Sequence, residues 1–146
     1  MSAHEINLAL AWLNNTLLGD STLAANAPGG IHRAFALDGS AEPYVIFAHQ
    51  SGSDVTTMNG VRLIVESTFQ VKAVGTVDYQ SEVVAAATRI DDLMGGEEGL
   101  RNIAVSGGYI YAVWRQSPLW ADEGPTNGQI ISNVGGLYRI QISQSS

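Results

Sequence analysis

Arg62-Leu63-Ile64-Val65-Glu66-Ser67-Thr68-Phe69-Gln70-Val71-Lys72-Ala73-Val74 is the stretch whose reading decides the fold. Leu63, Val65, Phe69, Val71 and Ala73 fall on one side of an extended chain, with Ser67 among them. Arg62, Glu66, Thr68, Gln70 and Lys72 fall on the other, with Ile64 the exception. Such period-two alternation predicts a strand with one buried face and one wet face. Gly75-Thr76-Val77 interrupts the pattern, and Asp78 is placed to cap the free N–H groups of a new helix. Glu82 lies in the first turn of that helix, where the dipole favours an anion. Val83, Ala86 or Ala87, Ile90 and Met94 follow at helical spacing, and Gly95-Gly96 supplies a left-handed stop. A helix laid across a half-buried sheet is the expected nucleus.

Upstream, Ser2-Ala3-His4-Glu5 reads as a capping box with Ser2 as N-cap. Ile6, Ala9, Leu10, Leu13 and Leu17 trace an apolar stripe, flanked by Leu8 and Trp12, that ends at Gly19. Residues 20–27 predict a further helical turn before Pro28-Gly29-Gly30, and residues 31–37 a short strand. Pro43 opens a stronger strand, Tyr44-Val45-Ile46-Phe47-Ala48-His49, at the position a strand tolerates proline. The polar run 51–60 ends in Asn59-Gly60, a favoured hairpin dipeptide.

Downstream, residues 97–102 read as a polar connection and residues 103–105 as a brief strand. Residues 109–115 are rich in strand formers. Residues 117–129 hold Pro118, Gly124, Pro125 and Gly128 without a regular period, which predicts a long loop with a task. Ile130-Ile131 and residues 137–143 complete the last strand, with Tyr138, Ile140 and Ile142 on one face. The expected architecture is α+β: a mostly antiparallel sheet of four to five strands with two main helices packed on one face. A length of 146 residues predicts one domain over 1–146.

Charged residues make up only 14% of the chain, against about 25% in an average globular protein. A surface this poor in charge is either marginally soluble or partly covered by other subunits, which favours an oligomer. Net charge is −7, divided as −3 over residues 1–73 and −4 over residues 74–146. An acidic surface with no basic patch argues against binding nucleic acid through its phosphates. The absence of cysteine excludes disulfides, thiolate chemistry and cysteine-ligated metals. There is neither a signal-peptide pattern nor an apolar run near the roughly 18 residues that span a bilayer, so a soluble intracellular protein is expected.

Several segments together point to a family. They are the first helix ending near Asp20-Ser21-Thr22-Leu23, the strand start at Gly30-Ile31-His32-Arg33, and Ala41-Glu42-Pro43-Tyr44-Val45-Ile46. The polar hairpin, Ser67-Thr68-Phe69-Gln70-Val71 and a helix rich in alanine and valine follow in order. Over roughly Leu8 to Ile142 the chain resembles the tail terminator (tail completion) proteins of long-tailed bacteriophages. That resemblance implies a non-enzymatic virion protein at the head-proximal end of the tail, assembled in the host cytoplasm and carrying no cofactor. It implies a homohexameric ring that stops tail polymerisation and meets the major tail tube protein and the head–tail connector or neck proteins. DNA would pass its lumen without specific binding, and no membrane would be involved. The runner-up is a neck protein of the same virion. A small dimeric α+β ligand-binding domain is the reading from another class, and it requires a closed pocket with convergent polar groups.

No catalytic or metal-binding motif is present: His4, His32 and His49 stand outside any ligand spacing, and no phosphate-binding loop occurs. Gly29-Gly30, Gly107-Gly108 and Gly135-Gly136 read as turns. Asn14-Asn15-Thr16 fits a glycosylation sequon but falls on the first expected helix. Asp91, Asp92, Glu97 and Glu98 form the sharpest charge cluster, at the disfavoured end of a helix. A solvated helix end is the simplest account of them, and an acidic lining for a DNA-conducting lumen the functional one. Asp54, Val55 and Met58 on the polar hairpin, and Leu119 and Trp120 on the long loop, are the expected contacts with neighbouring rings, and a tryptophan tucked over the edge of its own core is the equal alternative for Trp120.

Overall fold

The computed structural model describes residues 4–36, 39–60, 62–126 and 128–144. The alternating stretch is strand β3 (Arg62–Thr76), and Val65, Ser67, Phe69, Val71 and Ala73 are all buried. Leu63 departs from the pattern. It is 56% exposed, at the open end of the strand beside the hairpin turn.

Around β3 the sheet comprises β1 (Ile31–Arg33), β2 (Tyr44–Thr56), β4 (Leu100–Val105), β5 (Gly108–Thr126) and β6 (Gln129–Gln144). Their spatial order is β1-β2-β3-β6-β5-β4. β1 runs parallel to β2, and every other pair is antiparallel. Helices α1 (Glu5–Leu18), α2 (Ser21–Asn26) and α3 (Gln80–Leu93) complete the structure, with a 3-10 turn at Val77–Tyr79 before α3.

The expectation of four to five strands and two helices is therefore corrected. Among the described residues 52% are strand and 27% helix, with six strands in one mixed, curled sheet and three helices. β1 and β4 are short and patterned weakly, and they are strands because β2 and β5 offer them an edge to bond. The expected loop over residues 117–129 is also corrected, since β5 continues to Thr126. Its backbone pairs with residues 129–137 of β6, which satisfies N–H and C=O groups whatever the side-chain pattern. Likewise β2 runs on through the polar residues to Thr56, leaving only a short turn before β3. Gly135-Gly136, expected as a turn, lies buried in the middle of β6.

α1 and α3 lie against one sheet face. Leu13, Leu17, Ile90 and Met94 of the helical layer meet Phe69, Val71, Tyr138, Ile140 and Ile142 of β3 and β6, all within 1% of complete burial. Each such side chain contributes about 1.5–3 kcal/mol relative to exposure. A Cβ on Gly108 would come within 2.7 Å of Leu8, so the bare glycine lets the N-terminal end of α1 lie over the β4–β5 turn.

The helix caps differ in part from expectation. Ser2 lies outside the described residues, and the N-cap of α1 is His4, whose Nδ1 accepts from the Ile6 N–H at 3.2 Å. Asp78 sits within the 3-10 turn, and the N-cap of α3, Tyr79, makes no side-chain bond. Asp20 caps α2 by accepting from the Leu23 N–H at 2.8 Å. It also accepts from Arg89 Nε and Nη2 of α3 at 2.8 and 2.7 Å, tying α2 to α3.

The two Arg89 donors, and then the Leu23 N–H, hold the Asp20 carboxyl at about 2, below its ordinary 3.8. A depressed carboxyl stabilises the fold above its unfolded-state value and loses that contribution as pH falls toward the folded one. Asp20→Asn is thus expected to lower the melting temperature by a few degrees at pH 7. It should also remove part of the stability loss between about pH 4 and pH 2, as thermal melts against pH will show.

Candidate functional site

The expected contact residues fall at opposite ends of the sheet. The β2–β3 hairpin turns beside the C-terminal end of β6, and the β5–β6 hairpin turns beyond the C-terminal end of β3. Asp54, Val55 and Met58 therefore gather at one end, all exposed, and Met58 has no cover at all. Leu119 and Trp120 lie toward the other end.

Trp120 shares the helix-covered face with Val134, yet 54% of it is exposed. Its Nε1–H donates to Asp122 Oδ1 at 3.1 Å, and Ser132 Oγ donates to the same oxygen at 2.9 Å. The indole is held in place while its surface stays open, as at an interface anchor. Leu119 lies on the opposite face and is half-buried.

The acidic cluster is divided. Asp91 accepts from Tyr138 Oη at 3.0 Å and stands 4.0 Å from Arg115 Nη1. Asp92, Glu97 and Glu98 are exposed. Burial, and then the Asp91 charge, push the Tyr138 hydroxyl well above the usual tyrosine range, so it remains a proton donor. Asp91 thus braces α3 on β6.

The sheet face without helices carries a polar network that sequence spacing does not reveal. Arg139 is ion-paired with Glu66, donates from Nε to Gln116 at 2.7 Å, and lies beside Gln141, which donates to Glu66 at 3.3 Å. These partners come from β3, β5 and β6, and only the register brings them together. A single sequence holds no signal for it.

The histidines take ordinary structural roles. His32 Nε2 is 2.8 Å from the Gly29 carbonyl, and the His49 ring stands edge-on to Phe69 with centroids 5.3 Å apart. Among the described residues no group of three or more potential ligands is placed to hold a metal ion. No helix among them is long and apolar enough to cross a membrane.

No family model and no curated protein matches the chain in sequence. Its fold does have known counterparts. A chain from the structure titled "Virion of native gene transfer agent (GTA) particle" superposes with a TM-score of 0.70, covering 97% of this chain and 98% of that one. At 16% identity the likeness is one of fold.

Proposed function

We propose that this chain is a structural protein of a phage-like virion, and within it a ring-forming tail terminator. The observation that carries the reading is the end-to-end likeness to a chain of a virion particle. The family resemblance in the sequence adds the position: the head-proximal end of the tail tube, between the tube protein and the connector. A terminator needs one surface that fits the last ring of a tube and another that does not copy it. The two hairpin ends, one bearing Met58 and the other the exposed Ile130 beside the β5–β6 turn, supply unlike surfaces. Head-to-tail contacts between copies close into a ring when the rotation allows, here into a hexamer.

In such a ring Asp92, Glu97 and Glu98, with Asp91 behind them, line the lumen and repel passing phosphate. Neutralising all four and finding DNA passage unchanged would remove that assignment. The reading as a whole is tested by deleting the gene from its particle. Over-long tails without heads are the expected result. Normal tails lacking heads would assign the chain to the neck, and intact particles would overturn both.

A further inference from the structure

Among the described residues, the two long edges of the sheet are each only half covered. On one side β1 bonds β2 at Val45 and Phe47, leaving the rest of β2 to Thr56 without a neighbour beyond β3. On the other side β4 bonds β5 only as far as Val113, leaving β5 open from Trp114 onward. Following the alternation through each register, the N–H and C=O of Gly52 and Asp54 point out of the β2 edge. By the same count those of Trp120 and Asp122 point out of the β5 edge, together with the carbonyl of Pro118. Pro118 withholds a donor there, as proline does on edge strands.

Beside the open half of β2, on the helix-covered face, lies a groove of about 290 Å³. His4, the N-cap of α1, and Ile6 of that helix border it with His49, Gly52, Arg62 and Val65. Gly52 places no side chain over it. Beside the open half of β5, on the same face, stands the half-exposed, hydrogen-bonded indole of Trp120.

We propose that copies of this chain join edge to edge, the open half of β5 in one copy pairing with the open half of β2 in the next and seating Trp120 in the groove beside Gly52. The inference rests on the ring reading above and names its joint. β5 and β2 run in opposite directions in the sheet, so copies standing in the same sense pair antiparallel. Placing Trp120 opposite Gly52 makes a mutually bonded pair and keeps both helix layers on one side. It sets Pro118 opposite Asp54 and carries Asp122 toward His49, which keeps the two aspartates apart. Glu5, which also borders the groove, is already paired with Arg62 at 3.1 Å, and Arg62 remains 45% exposed for the indole face. Along the sheet Gly52 is level with Ser67, and Trp120 with Ala73 through Val134. Each joint is therefore staggered along the strands, and a ring closes when the strands incline to its axis, as stagger and tilt are linked in barrels.

The chain has no cysteine, which makes the joint directly testable. In this register Leu119 faces Ser53 across the joint, while β3 and β6 separate the two residues within one copy. A double variant, Leu119→Cys with Ser53→Cys, is oxidised both as concentrated purified chain and within particles. The expected result is a ladder of cross-linked multimers that ends at the ring, with each single variant giving dimers at most. Adding Trp120→Ala should cut the ladder at least tenfold while leaving the thermal melt in place, and Trp120→Phe should restore part of it. No ladder in either sample overturns the joint, and an undiminished ladder with Trp120→Ala overturns the seating of the indole. Because the purified chain is read separately from the deletion phenotype, failure of the joint and failure of the virion role are told apart.

Discussion

Gly135→Ala is expected to give protein that does not fold. Gly135 lies in the middle of β6, a central strand, facing the sheet side without helices. A methyl group there would sit 2.6 Å from the Cα of Lys72 and well inside contact with the Val71 carbonyl oxygen. Both are backbone atoms of β3, held by the ladder that joins the two strands. Relief requires the strands to part and the surrounding hydrogen bonds to stretch. Overpacking ordinarily costs about 1–3 kcal/mol, and a clash with fixed backbone falls above that range. Against a total of about 5–15 kcal/mol, the loss takes most of the stability. Gly136→Ala is the control, because its added methyl meets the Arg115 and Tyr138 side chains at 3.0 Å, and the arginine can move. Soluble yield and urea denaturation of the pair will separate the outcomes. Equal behaviour would contradict the register of β3 on β6.

Phe69→Ala is expected to cost about 3–5 kcal/mol by chemical denaturation, the range for deleting a large buried aromatic side chain. Phe69 is completely buried in the core, with the His49 ring edge-on to it. Leu63→Ala, on the same side of the same strand by alternation, is expected to change stability by no more than about 0.5 kcal/mol. The contrast distinguishes the region of β3 under the helices from its open end. Comparable costs at the two sites would place Leu63 in the core.

The helical layer and the central strand were legible because both obey a period. Ala9, Leu10, Leu13 and Leu17 in α1, Val83, Ala86 and Ile90 in α3, and Tyr138, Ile140 and Ile142 in β6 are buried where spacing expects them. The extent of the strands was not legible. Between Ser51 and Thr56, and again between Ser117 and Thr126, pairing is set by the partner strand's backbone, and side chains there need not alternate. Gly135-Gly136 resembles a turn in sequence because the need it meets, close passage of β3, arises only in three dimensions. The exposed Trp120 could be picked out as an oddity among acidic neighbours. Its bond to Asp122 and its place on the edge could not. Asp91 stood out as one of four clustered acids, yet the partners that set it apart, Tyr138 and Arg115, are distant in sequence.

The placement of the two hairpin turns at opposite ends of the strands gives a single copy a direction. Copies standing side by side in one sense would pass that direction to whatever they build, leaving a thioether-bearing rim at one end and an isoleucine-bearing rim at the other. Two rims of unlike chemistry would each call for a partner of its own.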